Sequence, residues 1–171
     1  MNITMQQMER IIKKLKIQYE VMGQDAIGTA GGLAIMWNPE ELIFENWTSL
    51  HRILTGSCRI IRSVEKVLIT GVHGPHITGE RERFLKNVQE ARRLYPEMSW
   101  IIGGYFNMIR TVDEKKGGIR RPDQFMDMFN EIISEQRLVG MQTINGIFTW
   151  NNRRGGKNQI ASRLDRFLVS E

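Results

Sequence analysis

A single cysteine, Cys58, in 171 residues excludes an internal disulfide and any metal site built on several thiolates, because each would need another sulfur ligand. It lies in an alternating segment and reads as a plain strand residue. No apolar run approaches the roughly 18 residues that a bilayer-spanning helix needs. The N-terminus lacks a charged segment followed by an apolar one, so no signal peptide is expected. The expectation is a soluble chain of the nucleus or cytoplasm, with no membrane partner and no specific protein partner readable.

What is present suits one folded unit. With 41% hydrophobic residues the chain can bury a substantial core, and a single domain over residues 1–171 is the expected organisation. The formal charge of +5 favours polyanionic partners, although many proteins of that charge never touch nucleic acid.

Periodicity divides the chain into elements. Met5, Met8, Ile11, Ile12 and Leu15 recur at helical spacing, opposite Glu9, Lys13, Lys14 and Lys16. Gly28, Gly31 and Gly32 then form a glycine loop before the strand Leu33 to Trp37. That order is wrong for a phosphate cradle, whose glycines follow a strand and open a helix. Leu42 to Trp47, Arg52 to Arg62 and Val64 to Val72 read as an antiparallel meander.

The second half changes character. Phe84, Leu85, Val88, Ala91 and Leu94 make a helical stripe that stops at Pro96, and Trp100 to Gly103 reads as a buried strand. Pro122 is expected to open another helix, with Phe125, Met128, Phe129, Ile132 and Ile133 inward. A strand through Ile147 to Trp150, a polar turn from Asn151 to Asn158, and a strand from Leu164 to Val169 complete the reading. The expected class is α+β, layered on a sheet core.

Four segments carry a resemblance in order along nearly the whole chain. They are Gly31-Gly32-Leu33-Ala34-Ile35-Met36-Trp37; Thr70-Gly71-Val72-His73-Gly74-Pro75; Gly103-Gly104-Tyr105-Phe106-Asn107 with Glu114-Lys115 and Gly117-Gly118; and Phe148-Thr149-Trp150-Asn151-Asn152 followed by Arg163-Leu164-Asp165-Arg166-Phe167-Leu168-Val169-Ser170. Together they resemble the endonuclease domain of plant-type non-LTR (LINE) retroelements, in the deoxyribonuclease I-like endonuclease/exonuclease/phosphatase superfamily. The resemblance implies a four-layer α/β-sandwich, two packed and mainly antiparallel sheets flanked by helices, incomplete here at both ends. It also implies a magnesium cofactor, a DNA substrate and hydrolysis of phosphodiesters.

By the same resemblance Asn107 would orient a water or phosphate oxygen, His73 would sit beside the cleft, and Asp165 would orient a histidine. Each has a plainer alternative: Asn107 as a turn cap, His73 as a surface residue, Asp165 paired with Arg163 or Arg166. His76 reads as incidental. Trp150 could stack on a base or serve the core, and Arg153, Arg154 and Lys157 form a basic turn suited to phosphate or to solvent.

The departures matter as much as the matches. Where the pattern is Gly-Asp-Phe-Asn, the acidic position is Tyr105, a phenol with a pKa near 10 that neither grips magnesium as a carboxylate does nor serves as an efficient base. The Glu of a Glu-Thr-Lys segment and the His of a Ser-Asp-His segment do not occur in the chain, and Gly140 replaces a customary Asp. The expectation is a domain with its ancestral hydrolysis lost or severely impaired and marginal stability at exposed sheet edges. Two alternatives stand beside it: a non-catalytic nucleic-acid binding remnant, and a small-molecule phosphatase without a visible inositol-recognition motif.

Overall fold

A computed structural model describes residues 4–26, 31–144 and 146–171. Gly28 lies outside the described residues, so the glycine loop is described only at Gly31 and Gly32.

Local chemistry starts the elements where the sequence suggests. Thr4 caps α1 (Met5–Lys14) through a reciprocal pair: its hydroxyl accepts from Gln7 N at 3.2 Å, and Gln7 Oε1 accepts from Thr4 N at 2.9 Å. Lys13 and Lys14 occupy the last turn, where the helix dipole favours cations. The apolar stripe is only partly used: Ile12 is buried, whereas Ile11 and Leu15 stand exposed.

β1 (Glu20–Gln24), which the sequence reading did not identify, pairs antiparallel with β2 (Leu33–Trp37). The expected meander follows as β3 (Leu42–Leu50), β4 (Ile53–Ile60) and β5 (Lys66–His73), all antiparallel neighbours. Helix α2 (Arg81–Arg93) then crosses over, and β6 (Ser99–Tyr105) lies parallel to β5. A parallel pair requires such a crossover. Its presence makes the sheet mixed.

After the two-residue strand β7 (Lys115–Lys116), α3 (Gln124–Glu135) begins two residues beyond Pro122, because Asp123 is the residue that caps it. The Asp123 carboxylate accepts from Phe125 N and Met126 N at 2.9 and 3.1 Å. β8 (Leu138–Gly140) follows. The strand expected from Ile147 shrinks to β9 (Trp150–Asn151), which with β10 (Ala161–Ser162) and β7 makes a three-stranded ribbon in the order β7-β10-β9. β11 (Asp165–Ser170) enters the main sheet, whose order is β3-β4-β5-β6-β11-β8.

Helices α2 and α3 cover one face of that sheet. Phe84, Leu85, Val88, Phe129 and Ile132 meet Leu68, Val72, Trp100, Ile102 and Leu168 in a continuous core. On the opposite face β2 packs over β4 and β5: Ile35 and Leu33 lie against Gly71, and the Trp37 and Phe44 rings are 4.5 Å apart. Farther along that face Phe167 and Val139 remain exposed. Cys58 is buried, and burial pushes its thiol up to about 11, as suits a strand residue without thiolate chemistry.

One polar relay crosses the helix-covered face. Thr70 Oγ1 accepts from Trp100 Nε1 at 2.8 Å and shares a 2.7 Å hydrogen bond with Thr55 Oγ1, all three residues being buried. Thr70→Val keeps the shape and strands two polar groups. The expected loss is about 1–3 kcal/mol for each group left unpaired, measured by urea unfolding. An unchanged midpoint would mean that neither group depends on this hydroxyl.

Candidate functional site

Sheet register brings three strand ends into one row. His73 is the partner of Tyr105 across the parallel β5–β6 pair, and Asp165 is its partner across β6–β11. The His73 and Tyr105 rings meet edge to face with centroids 5.7 Å apart. His73 Nδ1 lies 3.0 Å from Gly31 O, which ties this strand end to the start of β2. His76 is exposed.

The chain leaving β6 is then turned sharply. Gly74 N donates to Tyr105 O at 2.5 Å, and a Cβ on Gly74 would collide with the Phe106 backbone, so only glycine fits this crossing. Phe106 points into the core between Phe84 and Phe129, with centroids 6.5 and 5.0 Å away. Asn107 follows in the left-handed region at φ 55°, which asparagine tolerates better than most residues.

That turn sends the Asn107 side chain back toward Tyr105. The phenol donates to Asn107 Oδ1 at 3.0 Å, and Asn107 Nδ2 donates to Pro75 O at 2.9 Å. Both ends of the amide are therefore engaged. Burial, and next the negative charge of Asp165, raise the Tyr105 pKa above its ordinary value, with Arg81 opposing them. The phenol keeps its proton at neutral pH.

A buried ion pair holds the following loop. Arg166 Nη1 and Nη2 donate to the two Glu114 oxygens at 3.0 and 2.9 Å, and Nη2 also reaches Met108 O and Arg163 O, each at 2.9 Å. Glu114 Oε2 accepts from Arg110 N at 2.6 Å. The plainer alternative for Asp165, a pair with Arg163 or Arg166, does not form, because both arginines turn to Glu114. Alternation along β11 puts Arg166 on the core face and Asp165 on the other. Asp165 lines a neighbouring cavity with Thr149 and Phe167, and Thr149 Oγ1 accepts from its backbone N–H at 2.9 Å.

Beside Tyr105 and Asn107 opens a cavity of about 360 Å³, whose wall includes Arg81, Lys115, Asp123 and Trp150, with Met108, Met126, Ile160 and Leu164 as its apolar part. Trp150 is 40% exposed, so it is a cavity residue rather than a core one. Arg153, Arg154 and Lys157 lie on the exposed turn beyond it and do not line the cavity. Asn152 braces that turn, accepting from Arg154 N and Ile160 N at 3.2 and 3.0 Å and donating to Asn158 O at 2.8 Å.

Arg81, Lys115 and Asp123 had no role in the sequence reading. Lys115 stood inside a matched segment, and Arg81 just before an apolar helical stripe, but nothing local tied either to the strand ends.

The donor set does not suit a magnesium ion, which takes carboxylate, phosphate and water oxygens. Glu114 is bound to arginine, Asp123 faces Arg81 at 3.6 Å, Asp165 lines the neighbouring cavity, and the residue beside Asn107 is a protonated phenol. Among the described residues no three His, Cys, Asp or Glu side chains gather as a metal cluster. No helix among them is long and apolar enough to cross a membrane.

No protein-family profile matches the chain, and no curated protein matches it. Solved structures do. The endonuclease domain of TRAS1, a telomere-specific non-LTR retrotransposon, aligns with TM-score 0.68 and 19% identity over 90% of this chain and 68% of that one. The human Nocturnin catalytic domain aligns at 0.69 and 12% identity, covering 95% of this chain and 64% of that one. An endonuclease/exonuclease/phosphatase family protein from Bacteroides thetaiotaomicron aligns at 0.65 and 18%, covering 96% and 65%. This chain therefore spans about two thirds of the length of these solved chains. Its mixed sheet and flanking helices have the deoxyribonuclease I-like fold of these endonuclease/exonuclease/phosphatase structures.

Proposed function

We propose that the chain is a retroelement-derived endonuclease/exonuclease/phosphatase domain whose ancestral reaction was magnesium-dependent hydrolysis of DNA phosphodiesters, and that this hydrolysis is lost or severely impaired here. The observation that carries the proposal is Tyr105: a protonated phenol stands at the acidic position of the motif and occupies the Asn107 amide. Asn107, His73 and Asp165 are the remnants of the catalytic set. General acid–base help alone is worth about 10²–10⁴ in rate, and loss of the metal as well removes charge neutralisation at the phosphate.

The retroelement origin is supported by the four matched segments and by the likeness to a retrotransposon endonuclease domain. A DNA partner is supported by that likeness and by a similar fold in zebrafish TDP2, solved with a single-strand DNA product. The cavity favours retained binding without catalysis, because cationic and aromatic residues line it while its carboxylate has partners. Arg153, Arg154 and Lys157 would then meet phosphates outside the cavity, adding a salt-sensitive component.

Incubation of the purified chain with supercoiled plasmid and magnesium tests this. The expected outcome is no nicking above background, together with DNA binding that weakens steeply as salt rises. Magnesium-dependent nicking that disappears in Asn107→Ala would overturn the inactive assignment, and binding indifferent to salt would overturn the DNA partner.

A further inference from the structure

We infer that the cavity beside Tyr105 is a binding site for a single nucleotide, with the phosphate on Arg81 and Lys115 and the base against Trp150. The inference deepens the nucleic-acid reading above and rests on it.

Arg81 is the observation that points to a ligand. Its side chain is only 19% exposed, its guanidinium lies 5.7 Å over the Phe125 ring, and its polar contacts are long. Nη2 reaches Asn107 O at 3.5 Å, Nη1 reaches the Asp123 carboxylate at 3.6 Å, and Nε is buried without a hydrogen-bond partner. Both distances exceed those of ordinary charge-assisted hydrogen bonds, about 2.7–2.9 Å. A half-buried guanidinium with contacts that long is stabilised by a further acceptor.

Asp123 meets that need only in part. Its Oδ1 holds Phe125 N and Met126 N at the start of α3, so Oδ2 alone faces Arg81. A phosphate fits better, because the planar guanidinium fork donates two parallel hydrogen bonds to it. Lys115 brings a second positive charge to the same cavity, and its bond to Ile119 O at 2.8 Å uses one of three donors.

Trp150 supplies the other half of a nucleotide site. Its partly exposed indole lines the same cavity, and base stacking on an aromatic face tolerates any base. At about 360 Å³ the cavity is near the lower end of the range of small-ligand sites, about 300–1,000 Å³, which suits one nucleotide and not a duplex. Two sources present this chemistry: a free nucleoside monophosphate and the phosphorylated end of a strand.

The test follows tryptophan fluorescence of the full chain titrated with adenosine monophosphate, adenosine, and a short oligothymidylate with or without a 5′-phosphate. Adenosine monophosphate or the phosphorylated oligonucleotide is expected to bind about tenfold or more tighter than its phosphate-free counterpart, as hydrogen bonds to a charged group allow. Preference in the first pair only assigns a free nucleotide; preference in the second assigns a strand end. Arg81→Gln should erase the preference and leave adenosine binding unchanged, whereas Trp150→Ala should weaken every ligand and remove most of the signal. Should Arg81→Gln fail to fold, Lys115→Gln reads the same preference at the other cation of the cavity and should reduce it. Equal affinity with and without phosphate in the unmodified chain, or a preference intact in the soluble variants, would overturn the inference. Salt-sensitive plasmid binding without any response to these ligands would also overturn it while leaving the DNA-binding proposal standing.

Discussion

Arg166→Met is expected to destabilise the fold by about 3–5 kcal/mol, the usual cost of removing one partner from a buried ion pair. The side chain of Arg166 is 1% exposed and that of Glu114 13%, so the abandoned carboxylate has little water to turn to. Burial lowers the Arg166 pKa, while the hydrogen bonds and charge of Glu114 oppose that shift and keep the guanidinium protonated. The pair is therefore costly to make and costlier to break. A urea unfolding series measures it.

The double substitution Arg166→Met with Glu114→Leu should recover only part of the loss. Removing both charges relieves the uncompensated carboxylate, but Glu114 also accepts from Arg110 N and faces Arg163 at 3.8 Å. Met108 O loses its Arg166 donor in either variant. Because Lys115 follows Glu114 directly, the same change should loosen the cavity wall. A single-variant loss well under about 1 kcal/mol would contradict the whole account, since that is the range of exposed pairs.

Gly104→Val is the second large effect expected. Gly104 adopts φ +133°, a conformation side chains rarely take, and a Cβ there would strike the Val72 carbonyl of the neighbouring strand. Backbone strain of about 1–3 kcal/mol adds to overpacking of about 1–3 kcal/mol. The damage falls on the parallel β5–β6 pair, which holds His73 beside Tyr105. Thermal unfolding should fall accordingly, and a melting temperature unchanged by the substitution would show that β6 can shift at no cost.

Much of the fold was legible because its signals are local. The β3–β4–β5 meander follows from alternation and short turns, and α2 from its stripe and the proline beyond it. α3 began two residues late because an Asp123 cap outweighs a nearby Pro122. The strand expected at Ile147 shrank to Trp150 and Asn151, where pairing with β10 supplies the backbone partners. The β1 strand was missed because Glu20 to Gln24 is short and weakly apolar; only its pairing with β2 makes it a strand.

The site was legible in part. Tyr105 and Asn107 stand at one strand end, and His73 and Asp165 join them through register alone. The tertiary fold leaves Trp150 40% exposed, which sets aside a core role, and the sequence could not say so, since the neighbours of a tryptophan are not written beside it. The basic turn of Arg153, Arg154 and Lys157 was correctly seen as a turn but lies outside the cavity.

By itself the sequence determined the three helices, the β3–β4–β5 meander, the last strand, the lone thiol, and the replacement of an acidic residue by a phenol at the end of a glycine-rich strand. Those follow from side-chain periodicity, turn chemistry and ionisation, all properties of neighbouring residues. The tertiary structure alone decided that Arg166 meets Glu114 across 52 positions and that Arg81, Lys115 and Trp150 line one cavity. The reason is sheet order: insertion of β11 between β6 and β8 draws distant loops to one end, and no local pattern specifies that choice.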